Sequence, residues 1–551
     1  MLRGRLRSKA VRRCRFRLIS QSLMACLLLV SGNAVRADEF RTPSISAVRV
    51  EWRAVLDQLR SEIGTQPAVT SAFTFSGHRR LPAYDPRSTP ALVQLNAVTS
   101  EIFTGIGQSP VPVLLPFDTA AFLDARQNGA PASVSVSHYQ ADFRPADLFE
   151  AGPAGYDAVF SLPPGAGDGM PERTFARPVE VQITGSILIY DLADPLGDKG
   201  EPVKALAAQY PDLRRFIREG YLRYAFTRFG VPYVVSIQCL DSGARERRLA
   251  CREAYPVAER FLKALRIAGG QPSRPRMDIS SDIAERPVAM SPDFSYFPAG
   301  DLIATSGNRK PSGRADITAY SQIRFPLEKA PAFAHSQSFR HRRSNLKPLD
   351  LPGGTGGYPW RNNFCEARSF SVGQCPSGFG HQGQDISPMS CSLPTETGER
   401  CDPKQQAVVA VRDGVLIRSL KQQAAMLQIN SRTEHLRFRY MHMNPASMDA
   451  DGILSGRHVG EGEKIGVVSN YLDHPNGTTH HLHFDTQVFT RDGWLWVNPY
   501  VTLISAYERL IRGHGREIGP DPGSATPVAH ALPEDVIHPE SQEGSEEGGE
   551  N

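Results

Sequence analysis

The alternation of apolar and polar positions divides the chain into stretches of different texture. VRVEWRAVLDQLRSEIG (48–64) carries apolar residues at helical spacing and stops at Gly64, which predicts a helix. From about 70 to 195 the pattern shortens. VPVLLPF, SVSVSHYQADF, DAVFSLP and VEVQITGSILIYDL are β-rich runs broken by Pro, Gly and Asp. PDLRRFIREGYL (211–222) reads as a helix with a proline-led start. LRYAFTRFGVPYVVSIQC reads as two strands turning at Gly230, and AYPVAERFLKALRIAGG (254–270) as a helix closed by glycines. The next eighty residues lack regular pattern, and FAHSQSFRHRRSNLKP within them looks like a polar connector. Beyond 356 the chain becomes β-rich again, up to a closing helix in NPYVTLISAYERLIR (498–512).

These textures predict a multidomain α+β protein. A signal peptide spans 1–37, an α+β region 38–275, an irregular connector 276–355, a mainly antiparallel β domain 356–512 and an acidic disordered tail 513–551. At 551 residues the chain is too long for a single core. Its 43 prolines and 47 glycines suit loops and strands better than a helical bundle.

Charge sharpens both ends. Residues 1–37 hold nine Lys or Arg and no acid, followed by the short apolar run LMACLLLV (23–30) and small residues Val35 and Ala37, the order of an export signal. The run is well short of the ~18 residues a bilayer span requires. No comparable stretch follows, so no stable membrane span is expected once the signal is removed. Residues 517–551 carry nine Asp or Glu and no Lys or Arg, which predicts disorder. Between these ends the chain is mildly basic and holds no basic cluster interleaved with aromatics, so no nucleic-acid partner is expected. Six cysteines lie beyond the signal, an even number that suits disulfides in an exported protein. Neighbourhood favours Cys239–Cys251, Cys365–Cys375 and Cys391–Cys401, although spacing alone leaves the connectivity open.

The candidate chemistry is confined to the last third. HHLHFDTQVF (480–489) alternates as a strand does, so His481 and His483 project together while Leu482 and Phe484 face the core. His480 points the other way and reads as a rim residue. In GHQGQDI (380–386) the glycines disfavour a helix, and His381 with Asp385 offers a nitrogen and a hard oxygen that suit Zn²⁺ with an open position. HLRFRYMHM (435–443) places Leu436, Phe438, Tyr440 and His442 on one face of a presumed strand. His435, His458 and His474 have no partner at ligand spacing and read as surface residues. Trp494 and Trp496 share one face and read as core.

Taken in order, His381-x-Gly-x-Asp385, Tyr440-x-His442, GEGEKIGVV (460–468) and His481-x-His483 resemble the lysostaphin/LytM-type (M23) zinc peptidases, over roughly residues 356–512. The resemblance implies one Zn²⁺ held by His381, Asp385 and His483, with His442 and His481 as catalytic histidines. It also implies a small antiparallel β-fold with the site in a groove, and a peptide of peptidoglycan as substrate. Asp485 stands where that family usually has Glu, and an insertion (389–406) containing Cys391 and Cys401 follows the first motif.

The expected protein is thus an exported zinc metallo-endopeptidase, located in the periplasm or otherwise outside the cytoplasm. Its alternative is a non-enzymatic regulator of cell-wall amidases or the division machinery on the same fold. A zinc carboxypeptidase is disfavoured by the His-x-His ending. The N-terminal region is expected to dock an envelope protein, bind glycan or cover the groove. Asn362 and Asn363, just before the first motif, are candidates for lying across the zinc and occluding it.

Overall fold

The computed structural model describes residues 40–63, 90–127, 139–163, 178–192, 200–239, 249–272, 294–296, 316–335, 360–388 and 406–517, apart from Glu219, Ala367, Gly373, Pro376 and Ser377. The expected export signal (1–37), the tail beyond 517, Cys391 and Cys401 lie outside the described residues.

Two antiparallel sheets organise the chain. The first is built from β1 (Arg144–Gly152), β2 (Gly155–Leu162), β3 (Val179–Ser186), β4 (Glu201–Pro202), β5 (Arg214–Arg218), β6 (Tyr221–Arg228) and β7 (Val231–Gln238), ordered β1-β2-β3-β7-β6-β5-β4. One face of it, with Tyr156, Phe160, Ile183, Tyr233 and Val235, packs in one apolar core with helices α1 (Trp52–Ile63), α2 (Pro90–Thr99), α3 (Thr119–Gln127) and α4 (Tyr255–Ala264). The disulfide Cys239–Cys251 joins the end of β7 to the turn leading into α4.

The second sheet contains β8 (Ala332–His335), β9 (Gln384–Pro388), β10 (Gly414–Ile417), β11 (Ala425–Asn430), β12 (His435–Met441), β13 (His458–Val459), β14 (Leu482–Thr490) and β15 (Gly493–Val497). Its order is β8-β9-β14-β12-β11-β10-β13, and β15 also pairs with β14. Leu436, Phe438, Tyr440, Leu482, Phe484 and Val488 fill a core that α5 (Tyr500–Ile511) closes with Tyr500, Val501, Ile504 and Tyr507. The protein is therefore a multidomain α+β molecule with a β-rich C-terminal domain.

Two expectations need correction. Residues 211–222 form not a helix but β5 and the start of β6. Leu213, Phe216 and Ile217 satisfy helical spacing, yet Gly220 at φ 71° turns the chain into a hairpin that leaves Ile217 37% exposed. Pairing with β6 overrides a weak local preference. In 254–270 the helix ends at Ala264, Leu265 is extended, and Arg266–Gly269 runs as a strand against Val113–Leu115. The β-branched Ile267 fits that strand, where it is fully buried.

Among the described residues no helix is long and apolar enough to cross a membrane.

Candidate metal centre

Register places the chemistry. Asp385 on β9 lies opposite His483 on β14, and His483 lies opposite Met441 on β12. Directly paired residues project from the same face, so Asp385 and His483 share the face away from the apolar core. His481 enters just before β14 through a bridge to Ser469. His381 precedes β9 by three residues, where Gly380 approaches so closely that a Cβ would fall 2.6 Å from the Cys365 Cα. His442 follows β12 at φ 68°, a left-handed conformation rare for a residue with a Cβ. That turn takes its imidazole off the apolar face assigned to it from strand parity and brings it 4.7 Å, centroid to centroid, from the His481 ring.

His381 Nε2, His483 Nδ1 and a carboxylate oxygen of Asp385 converge within 4.8 Å of one another, and all three residues are buried. The two nitrogens are 2.9 Å apart, and Asp385 Oδ1 is 3.5 Å from the first and 3.4 Å from the second. His481 Nε2 stands 3.5 Å from the same oxygen.

The outer ring nitrogens fix the tautomers. His381 Nδ1 donates to the Asn363 carbonyl at 3.2 Å, and His481 Nδ1 to the Thr479 carbonyl at 2.8 Å. His442 Nδ1 donates to the Tyr471 carbonyl at 3.1 Å, and His483 Nε2 to Asp485 Oδ2 at 3.3 Å. Each partner is an ionised carboxylate or a carbonyl and can only accept, so each histidine carries its proton on the outside and presents a lone pair inward. Burial pushes His381 down to about 3, against the opposing charge of Asp385. Burial, then His481 and His483, holds His442 well below the usual histidine value. Burial alone would raise the Asp385 carboxyl; the histidines around it, His381 and His481 first, reverse this and hold it well below the carboxylate range. A carboxylate surrounded by neutral imidazole lone pairs is a donor set that a divalent cation complements, and it matches the ligand chemistry of zinc.

The layer behind this centre was less visible in the sequence. Asp485 also accepts from Arg439 Nε at 2.6 Å and Trp496 Nε1 at 3.0 Å. Asp485 stands two positions from His483, so strand parity could have flagged it. Arg439 reaches it only through the pairing of β12 with β14. Asn362 and Asn363 are fully buried. Asn362 Oδ1 accepts the Phe364 N–H, whereas Asn363 hydrogen-bonds to Asp385. Two residues beyond Asn363, Cys365 is bridged to Cys375. Trp494 and Trp496 are buried, His458 and His474 are exposed, and His480 is half-buried.

His435 overturns its assignment to the surface. It is fully buried and its Nε2 lies 2.8 Å from Asp157 Oδ2 on β2 of the first sheet. The same carboxylate takes Arg437 Nη2 at 2.9 Å and Thr184 Oγ1 at 2.6 Å. Arg223 adds a bond to the Trp494 carbonyl at 2.6 Å, so the first sheet covers the far end of the face that carries the histidines. Of the polar neighbours that made His435 look solvent-exposed, Arg437 belongs to this buried interface, whereas Arg432 and Thr433 are exposed.

No family model and no curated protein matches the chain. Among solved structures it is similar to a putative glycyl-glycine endopeptidase LytM from Ruminococcus gnavus, at 20% identity over 25% of this chain and 50% of that one, with a TM-score of 0.18. It is also similar to the catalytic domain of lysostaphin from Staphylococcus simulans, at 20% identity over 25% of this chain and 86% of that one, with a TM-score of 0.14. The chain thus spans half the length of the first of these structures.

Proposed function

We propose that the C-terminal domain is a zinc-dependent peptide hydrolase acting on the stem peptides or cross-links of peptidoglycan in an exported protein. The observation that carries the reading is the orientation of the rings: four buried histidines give their outer protons to acceptors, and three of them, His381, His481 and His483, bring the inner nitrogen within 3.5 Å of Asp385. His381, Asp385 and His483 would hold the ion. Bound zinc supplies Lewis-acid polarisation of a scissile carbonyl and makes a water acidic enough to react near neutrality. His442 and His481 are not needed as ligands. Neutral at pH 7, His442 is ready to accept a proton from the attacking water at Nε2 and return it to the leaving amine, with the His481 ring beside it at 4.7 Å as the second catalytic histidine. The carbonyls of Tyr471 and Thr479 keep both rings in the accepting tautomer. The substrate class is supported by the motif order and the export signal.

The test pairs metal analysis with hydrolysis of purified cross-linked muropeptides. One zinc per chain and cleavage abolished by chelation and by His381→Ala are expected. Cleavage that survives in His381→Ala would defeat the reading. A zinc-loaded protein that cleaves no muropeptide would point instead to a regulator built on this site.

A further inference from the structure

Asn363 sits against both outer members of the ligand cluster. Its Nδ2 donates to Asp385 Oδ2 at 3.0 Å, and its Oδ1 accepts the Asp385 backbone N–H at 3.2 Å. Its carbonyl takes the His381 Nδ1 proton at 3.2 Å, and its own N–H donates to Gln384 Oε1 at 3.0 Å. Two residues on, Cys365 N–H donates to the His381 carbonyl at 2.8 Å, while the His381 N–H donates to the Glu366 carbonyl at 2.8 Å. A segment of four residues therefore grips His381 by its ring and both backbone groups, and Asp385 by its carboxylate and its backbone. The disulfide Cys365–Cys375 anchors that segment.

We propose that Asn363 is a positioning residue for the metal centre, acting as a brace that aims His381 Nε2 and Asp385 Oδ1 at one point. The proposal rests on the reading that His381, Asp385 and His483 hold a metal. A carboxylate left to itself rotates freely between its two oxygens. Tying Oδ2 to an amide leaves Oδ1 facing the histidines. Only a side chain that donates and accepts at once can close the two-bond ring with Asp385, and of the short side chains the asparagine amide does so with fixed planar geometry. Partners of this kind orient metal ligands, and their loss typically weakens metal binding about 10–100-fold. The rival assignment, in which this asparagine covers the groove, predicts the opposite sign: removing it should raise activity.

The experiment uses the full chain as wild type, Asn363→Ala, Asn363→Asp and His381→Ala. Zinc affinity is read by competition with a chromophoric chelator, and ligand geometry by the visible spectrum of the Co²⁺-substituted protein. Both Asn363 variants should bind zinc about 10–100-fold more weakly and alter the cobalt spectrum, with hydrolysis recovered by excess zinc. Asn363→Asp should be the weaker of the two, because its carboxylate would face Asp385 Oδ2. Where Asn363→Ala melts below the assay temperature, the near-isosteric Asn363→Asp decides. Unchanged affinity and spectrum in a folded variant would overturn the brace. So would faster hydrolysis at unchanged affinity, which would establish a cover instead. In both cases wild type and His381→Ala still behave as zinc-binding and zinc-deficient. A wild type that takes up no zinc would remove the metal reading itself, and the brace with it.

Discussion

His483 turns Nδ1 inward because Nε2 is claimed by Asp485, and Asp485 stays ionised because Arg439 lies against it. Burial would raise the Asp485 carboxyl, but the Arg439 guanidinium and the His483 hydrogen bond outweigh burial and lower it. The orientation of one candidate ligand is therefore set by an arginine on the neighbouring strand. Asp485→Asn keeps the shape but can offer an amide N–H to His483. We expect zinc affinity to fall about tenfold, measured by chelator competition; unchanged affinity would mean that packing alone aims the ring. The identities of these residues were legible in the sequence, as was the parity that sets His481 and His483 together. Tautomers were not, since a ring nitrogen's role depends on a partner up to 29 residues away, as with His442 and Tyr471.

At the scale of the element, β9 and β14 approach closely enough to restrict what may stand between them. A Cβ on Gly383 would lie 2.6 Å from the Phe484 carbonyl oxygen and 2.7 Å from His483 Nε2. Gly383→Ala must push the strands apart or displace the ligand ring. The expected cost is about 1–3 kcal/mol, read by thermal melting, together with reduced zinc content. An unchanged melt and full zinc would show that the strands slide without strain. Element type was readable where the pattern was unambiguous, as in α1, the β6–β7 turn at Phe229–Gly230 and α5. It failed at 211–222, where Leu213, Phe216 and Ile217 satisfy both a helix and a hairpin, and only the available partner strand decided between them.

On the scale of the whole molecule, the first sheet is fastened to the second by buried polar groups as well as apolar contact. Asp157 of the first meets His435 and Arg437 of the second, and the Asn430 side chain bonds Ala154 N–H and the Gly155 carbonyl. Burial would raise the Asp157 carboxyl, yet the charge of His435 first and then Arg437 holds it below its usual range. The stability it contributes is therefore complete above its unfolded pKa of about 3.9 and is lost as pH falls through the lower folded value. Asp157→Asn should destabilise by about 3–5 kcal/mol at pH 7, because it breaks a buried ion pair. The gap to wild type should close as pH drops below about 4, followed by denaturant unfolding across that range. A gap that persists unchanged into acid would show that the carboxylate's charge is not what joins the sheets.

What the sequence by itself determined is the set of chemical groups and their local parity. His481 and His483 are legible because side chains alternate every two residues along a strand, a property of the local backbone, and His381 and Asp385 because of the donor types their glycine-broken motif brings together. The tertiary structure alone decided which nitrogen each ring turns inward, that Asn363 holds Asp385, and that His435 is buried against Asp157. His381, His442, Asn363 and His435 find their partners 18 to 278 residues away, brought together by sheet register and sheet packing, which no local pattern encodes.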